Sequence, residues 1–384
     1  MDFIPCEIDH LVTFIAKLGK AKDTFRYFNK RSPEVIKSHL LTLFGVVDGE
    51  RCSYGHLEWD PSCRCVWLGI CVLPDFQGKG FGKMMMKELI GRAKALCVMD
   101  LALTVDKGNS VAMALYEKMG FKREKENESN FLYKMNPSLG LKFHGQWGPK
   151  VDEVLLRNYF QGKRFGTWIE AGAAVGGVGS NCLFFEEHLS WNGLNVEPSP
   201  RVFRLLKNYR ILKSSTNVNV ALSLSNGVQK FKDISEECTL GSENGSLCHS
   251  SFHMSELELY KCKFEEYDVK TVDYETLLSE NNFSKIDLLS LDVEGEEIRV
   301  LQGMSACDDQ TLPKVMCIEY PYLDFKELLE VTSRLGYQYD FVSFNNAFFS
   351  KPGPKPNDWF GSTKRMEWDK ANKRWIIHVP GEKT

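Results

Sequence analysis

The stretch NPSLGLKFHGQWGPK, Asn136 to Lys150, gathers Pro137, Gly140, Gly145, Gly148 and Pro149. Neither a helix nor a paired strand runs through such a segment, because proline removes donors and glycine resists ordering. The chain therefore breaks there into two parts. In each part an apolar run ends in glycines and passes into a helix-spaced pattern: CVWLGICVLP before PDFQGKGFGKMMM in the first, TWIEA before GAAVGGVGSN in the second. At 384 residues, 43% of them hydrophobic, the chain is long enough for two cores. The expected division is a domain over 1–138, a linker over 139–145 and a domain over 146–384.

The first part reads as a helix, three consecutive strands (LLTLFGVVDG, RCSYGHLEWD, CRCVWLGICVLP), the glycine loop and a helix over 83–95. The strand DLALTVD, a second helix and the closing strand NFLYKM follow. Hairpins followed by strand–helix–strand predict a mixed α+β sheet. Met85, Met86, Leu89, Ile90 and Ala93 recur at helical spacing, so the Met-rich face is core. The second part alternates GTWIEAG, LSWNGLNVEP, NVNVALS, DLLSLDVEG and KVMCIEY with helical patterns, which predicts a parallel sheet wrapped by helices. SKPGPKPNDWFGS reads as a surface loop before a short C-terminal hairpin or strand.

A net charge of −3 gives no electrostatic footprint for nucleic acid. No run of eighteen apolar residues occurs, and MDFIPCEIDHLV lacks the charged and apolar regions of a secretion signal, so a cytoplasmic protein with no membrane partner is expected. Of twelve cysteines only Cys63 and Cys65 are closely spaced, and no metal-binding cluster of Cys and His appears. Cys71, Cys97 and Cys317 lie in apolar runs, as reduced structural cysteines do.

The helix after Gly82 begins with unpaired N–H groups and the positive end of its dipole, and glycines let a ligand approach them. Gly78-Lys79-Gly80-Phe81-Gly82-Lys83 fits neither the P-loop nor the GxGxxG dinucleotide spacing. Gln77-x-x-Gly80-x-Gly82 resembles the pyrophosphate loop of the GNAT acetyltransferases, and GNSVAMALYEKMGF resembles their segment facing the CoA sulfur. The resemblance implies acetyl-CoA held by Val72, Gln77, Gly78, Lys79, Gly80, Gly82 and Asn109. It gives Tyr116 the role of general acid to the departing thiolate; a core tyrosine is the plainer alternative. Asn109 is also a credible N-cap, and Gly120 a credible helix stop.

An acceptor amine must lose a proton before it attacks a thioester. On YGHLEWD the period of two puts His56, Glu58 and Asp60 on one face. A neutral histidine is a natural base near pH 7, so His56 is the first candidate and Glu58 the second. A solvated outer face reads equally well. TFRYFNKR sets Arg26, Lys30 and Arg31 beside Phe25, Tyr27 and Phe28, a cluster suited to phosphates and a stacked base, or to a charged helix edge. This segment resembles bacterial GNAT enzymes encoded with sugar-modifying genes.

In the second part Glu170, Gly172 and Gly176 form E-x-G-x-x-x-G at a strand-to-helix turn, which resembles motif I of class I S-adenosylmethionine (SAM) methyltransferases. Glu197 ends the next strand, where a carboxylate can bind both ribose hydroxyls. A Rossmann dehydrogenase uses the same logic, but Cys182 stands where its third small residue belongs. HGQWGPKVDEVLLRNYF, VEPSP, IDLLSLDVEGEEIRVLQGM and VMCIEY together resemble the FkbM-type methyltransferases, which O-methylate sugars and related hydroxyls. Val175 and Gly179 replace acidic or amide residues common in that family. By period two Asp292 and Glu294 share a side at the end of a central strand. Asp292 is the expected base and Glu294 a substrate or metal ligand, with Glu319 a further candidate; an acidic helix start is the alternative. A divalent metal is left open by this pattern.

The fold class expected is α/β, an N-terminal GNAT mixed α+β sheet domain followed by a Rossmann-like class I methyltransferase domain. The two resemblances imply a bifunctional transferase that uses acetyl-CoA and SAM to N-acetylate and O-methylate a small molecule. An amino sugar offers both groups, as a nucleotide-linked 4-amino-4,6-dideoxyhexose of the viosamine type would in glycan biosynthesis. A homodimer is compatible with the sequence. The alternatives are acetylation of a peptide amine with an unrelated methylation target, and a scaffold with one inactive half.

Overall fold

Alternating and all-apolar runs build the sheets, and glycines mark where they stop. The computed structural model describes residues 1–29, 31–146, 148–211, 213–234, 245–247, 249, 251–352, 365–369 and 374–378. Two units cluster separately: Met1–Leu141 with Leu156–Lys163, and Lys142–Leu155 with Arg164–Thr384. The first unit thus takes up Leu156–Lys163, a segment that the expected boundaries assign to the second.

The first unit contains β1 (Asp2–Pro5), α1 (Ile8–Ala16), β2 (Leu41–Val47), β3 (Glu50–Asp60), β4 (Cys65–Val72), α2 (Phe81–Ala95), β5 (Leu101–Asp106), α3 (Ser110–Lys118), β6 (Lys122–Glu126) and β7 (Asn130–Met135). Its sheet runs β1-β2-β3-β4-β5-β7-β6. Every neighbouring pair is antiparallel except β4 and β5. That parallel pair is joined only at Val66 with Leu101 and Trp67 with Ala102. Beyond Trp67 the two strands part. Met85, Met86, Leu89 and Ala93 of α2 pack with Leu57, Val66, Leu101 and Tyr133 in one core, so the Met-rich face is buried as its spacing predicts. Two strands lack a sequence signal. β1 precedes the first helix and pairs with β2, and β6 is the wholly exposed run KREKE at the sheet edge. Charge on an edge strand discourages pairing with other chains and erases the apolar alternation that would reveal it.

The second unit contains α4 (Val151–Leu155), β8 (Thr167–Ala171), α5 (Leu183–Leu189), β9 (Asn192–Val196), α6 (Pro200–Tyr209), β10 (Thr216–Val218), β11 (Ala221–Leu222) and β12 (Gly227–Ile234). There follow α7 (Ser251–Leu259), β13 (Phe264–Val272), α8 (Tyr274–Glu280), β14 (Leu288–Leu291), α9 (Glu297–Gly303), β15 (Val315–Glu319), α10 (Phe325–Arg334), β16 (Gln338–Ser343), β17 (Asn346–Ser350) and the hairpin β18 (Arg365–Asp369)–β19 (Arg374–His378). The main sheet runs β10-β9-β8-β14-β15-β17-β16. Its first five strands are parallel, and β17 and β16 close the edge antiparallel. The order reverses between β8 and β14, the place where open parallel sheets form a ligand crevice beyond their carboxyl ends. A second small sheet, β11-β13-β12, was not expected.

The loop expected in SKPGPKPNDWFGS falls largely at 353–362, outside the described residues. Among the described residues no helix is long and apolar enough to cross a membrane. Cys71, Cys97 and Cys317 are buried cysteines in no disulfide, whereas Cys262 is disulfide-bonded and departs from the expectation of reduced cysteines. Its sequence spacing shows no close partner, so pairing was not legible there.

Candidate functional site

Where β4 and β5 part, the first unit holds a cavity of about 470 Å³. Tyr116 and Asn109 line it, and β3 contributes His56 and Glu58. Thr24, Phe25, Arg26, Tyr27 and Arg31 of the aromatic–basic segment complete one wall; Lys30 lies outside the described residues. The alternation of β3 works as its spacing predicts, with Leu57 in the core and Glu58 facing the cavity. Glu58 Oε2 accepts from the Tyr27 hydroxyl at 2.8 Å and from Arg31 at 2.9 Å. Arg26 is paired with Asp106. His56 is only 2% exposed, stacked 4.7 Å from His39 and with the Tyr27 ring tilted against it at 4.2 Å. Its approach to β4 depends on Gly69, where a Cβ would fall 2.2 Å from His56 Cε1. Burial, then His39 and Arg31, push the His56 pKa well below 6.5, so this imidazole stays neutral and is a weak base. Burial pushes the Tyr116 phenol up to about 12, so it keeps its proton at neutral pH.

The glycine loop lies at the end of β4. Gly78 and Gly80 have positive φ, and a Cβ on either would meet nothing within 4 Å, which leaves the backbone at the α2 N-terminus open. Gly82 sits against Val72 and Leu115, at 3.5 and 4.0 Å from a built Cβ. Gln77 donates to the Val72 carbonyl at 3.1 Å, and Lys79 to the Asp75 carbonyl at 2.9 Å, so both side chains brace the loop. Asn109 caps α3 by accepting from the Ala112 N–H at 3.2 Å.

In the second unit the crevice at the switch point is lined by Gly172, Glu197, Asp292, Glu294, Leu222 and Phe231, among others. Gly172 has φ +80°, and a Cβ there would land 1.7 Å from the Asp292 carbonyl oxygen, so no other residue fits. Glu197 accepts from the N–H of Ala174 at 3.1 Å and of Ser199 at 2.9 Å. Glu170 is buried under this turn. It accepts from Ser180 Oγ at 2.6 Å and the Asn181 N–H at 2.5 Å, and burial raises its pKa while Arg210 opposes the rise. Arg210 also donates to the Gly176 carbonyl at 2.7 Å and pairs with Glu186 at 2.5 Å. Glu170 and Gly176 therefore hold the loop in shape; Glu170 edges a neighbouring pocket with Gly172, Gln146 and Asp292, whereas Gly176 lines neither.

Strand β14 ends at Leu291, so period two does not bring Asp292 and Glu294 together. A tight turn does, with Glu294 at φ +58° and Gly295 at +111°. Carboxylate oxygens of Asp292, Glu294 and Glu319 lie within 4.8 Å of one another, a set of hard ligands suited to a divalent cation. Burial raises the pKa of Asp292, and burial together with the other two carboxylates raises that of Glu319. Gln146 donates to Asp292 at 3.2 Å. Glu297 opens α9 by accepting from the N–H groups of Val293 at 2.8 Å and Gly295 at 3.0 Å, so it serves the turn.

The model of the acetyltransferase (GNAT) family matches residues 13–121, and that of the methyltransferase FkbM domain matches residues 170–339. The chain carries a GNAT domain followed by an FkbM methyltransferase domain. Among curated relatives, the [ribosomal protein bS18]-alanine N-acetyltransferase of Salmonella typhimurium is 44% identical over 54 residues, 14% of this chain and 36% of that protein. The Haemophilus influenzae protein of the same name is 48% identical over 54 residues, again 14% and 36%. The alignment thus spans about a third of those relatives' length. Similar solved structures include the PaiA N-acetyltransferase of Thermoplasma acidophilum with coenzyme A, at 22% identity, 35% of this chain, 98% of that one and TM-score 0.31. The ribosomal-protein-S18-alanine N-acetyltransferase of Escherichia coli matches at 19% identity, 37% and 99% coverage and TM-score 0.31.

The two domains support a bifunctional transferase; the GNAT domain implies acetyl-CoA and the FkbM domain SAM. The residues present fit both groups. In the GNAT domain an open glycine backbone at a helix N-terminus suits a pyrophosphate. In the FkbM domain a carboxylate beyond β9 suits a ribose, while Gly172 serves the close contact with the Asp292 carbonyl. His39, Gln146, Ser180 and Arg210 belong to the two sites without being singled out by motif or spacing. Gln146 lies inside a stretch that carries the FkbM resemblance, but His39 meets Tyr27 and His56 behind the cavity lining, where Thr42 pairs with His56 in the sheet.

Proposed function

We propose that this bifunctional transferase N-acetylates and O-methylates one amino sugar, carried as a nucleotide-linked 4-amino-4,6-dideoxyhexose of the viosamine type, for cytoplasmic glycan assembly. The observation that carries it is the GNAT cavity. Its volume of about 470 Å³ falls within the range of small-molecule sites, about 300–1,000 Å³, and it joins Glu58 and Tyr116 on one lining. Two group transfers in one chain are most simply used on one molecule that offers an amine and a hydroxyl. Acetyl-CoA supplies an activated acyl carbon when bound, held by Val72, Gln77, Gly78, Lys79, Gly80, Gly82 and Asn109. Glu58 takes the proton of the amine, and Tyr116, protonated through burial, holds one for the departing sulfur. His56 packs the floor. SAM supplies an electrophilic methyl group when bound. Glu197 receives its ribose hydroxyls, Gly172 lets the turn close on the Asp292 carbonyl beside it, Asp292 takes the proton of the sugar hydroxyl, and Glu294 and Glu319 hold that hydroxyl in place.

A second reading is acetylation of a peptide amine, favoured by the local identity to ribosomal-protein alanine N-acetyltransferases. Side-by-side acetylation of a dTDP-linked 4-amino-4,6-dideoxyhexose and an alanine-terminated peptide decides between them. Faster transfer to the peptide by at least tenfold in kcat/KM would overturn the sugar.

A further inference from the structure

We propose that the GNAT cavity contains its own proton path, in which Glu58 passes the proton taken from the amine through the Tyr27 hydroxyl to His39. It rests on Glu58 being the base. The Tyr27 oxygen stands 2.8 Å from Glu58 Oε2 and 2.6 Å from His39 Nε2. His39 Nδ1 lies 2.9 Å from Thr42 Oγ1, so with Nδ1–H donating there, Nε2 presents its lone pair to Tyr27. Arg31 and Tyr27 both meet Oε2 of Glu58 and neither meets Oε1, which among the described residues leaves an oxygen for the amine.

Each transfer must balance. A proton from the ammonium lands on Glu58 Oε1, and the carboxyl turns to bring that O–H to the Tyr27 oxygen. The phenol O–H, no longer donating to Glu58, turns to His39, and its original proton passes to Nε2 as the Glu58 proton replaces it. The phenol ends neutral, the carboxylate is restored, and His39 becomes imidazolium. His39 is partly exposed, so it can release the proton to water. His56 is the poorer sink, being deeply buried, with no hydrogen-bond partner for Nδ1 among the described residues.

Among the described residues, the titratable and charged groups facing His39 are Tyr27 and Arg31 from the aromatic–basic segment and His56 and Glu58 from β3. Burial and Arg31 draw its pKa below 6.5 against the pull of Glu58. The imidazole is thus neutral and able to accept at pH 7, and the path closes as pH falls through its pKa.

The test uses the full-length chain, acetyl-CoA, and whichever of the dTDP-amino sugar and the alanine-terminated peptide the wild type acetylates faster. Turnover is followed from pH 5.5 to 9. His39→Gln and Tyr27→Phe should each lower kcat at least ~10-fold, with acetyl-CoA affinity unchanged by calorimetry. The double variant should be no slower than either single one. Added imidazole should raise the rate of His39→Ala severalfold and leave the wild type unchanged, a response that a packing role does not produce. Because the two residues sit on separate segments, either variant decides the matter if the other fails to fold. A Glu58→Gln enzyme at near wild-type rate overturns the base beneath the proposal. An inactive Glu58→Gln beside folded His39→Gln and Tyr27→Phe enzymes with wild-type kcat and acid limb overturns the path alone.

Discussion

Tyr116 and Glu197 show how a single position carries a testable role. With its pKa pushed up to about 12 by burial, Tyr116 is protonated throughout the working range. A general acid deprotonates only above its pKa, so Tyr116 should impose no basic limb on acetyl transfer between pH 7 and 10. Tyr116→Phe should lower kcat roughly 10²-fold with acetyl-CoA affinity retained, and steady-state kinetics with calorimetry check both. Glu197→Ala should weaken SAM binding by about 1.5–3 kcal/mol, the range for hydrogen bonds to a charged partner; calorimetry reads this directly. Asp292→Asn keeps shape and removes charge, so SAM should bind while methyl transfer falls ~10²–10⁴-fold. If EDTA stops the wild type and Mg²⁺ restores it, the three carboxylates hold a cation instead. The side-chain face holding His56 and Glu58 was legible because a strand alternates strictly. Tyr27 and His39 were not recognised as partners of Glu58, because they approach it from turns that only the folded sheet brings near.

At the scale of elements, strand–turn–helix junctions set both sites. The parting of β4 from β5 after Trp67 opens the acceptor cavity, and the strand-order reversal between β8 and β14 opens the other crevice. Apolar runs ending in glycine announced both junctions in advance. The turn after Leu291 was read as more strand because Asp292 and Glu294 obey the period of two, yet Glu294 is left-handed and Gly295 more so. Gly172→Ala tests how tightly the junction is built. With a Cβ 1.7 Å from the Asp292 carbonyl and φ positive, the variant should lose at least ~1 kcal/mol of stability and bind SAM at least tenfold more weakly. Thermal melting and calorimetry check the two effects; an unchanged melt with normal SAM affinity would show that the turn yields freely.

For the whole molecule, the boundary matters. Gln161 belongs to the first unit and accepts from the buried N–H groups of Met99 at 2.8 Å and Asp100 at 3.0 Å, while donating to the Arg64 carbonyl at 3.0 Å. A fragment of residues 1–141 lacks those bonds, and each buried donor left unpaired costs about 1–3 kcal/mol. Residues 1–163 should therefore melt higher than 1–141, as differential scanning calorimetry would show. A proline- and glycine-rich run is legible at 136–150, but the return of 156–163 to the first unit is not, since its contacts are long-range. Both transfers are proposed to fall on one molecule. Mass spectrometry of a dTDP-linked 4-amino-4,6-dideoxyhexose incubated with the full-length protein, acetyl-CoA and SAM tests it most directly. One acetyl and one methyl gained by the same sugar, each dependent on its own cofactor, is the result expected; neither gain on any such amino sugar, with acetylation of the alanine-terminated peptide, would contradict it.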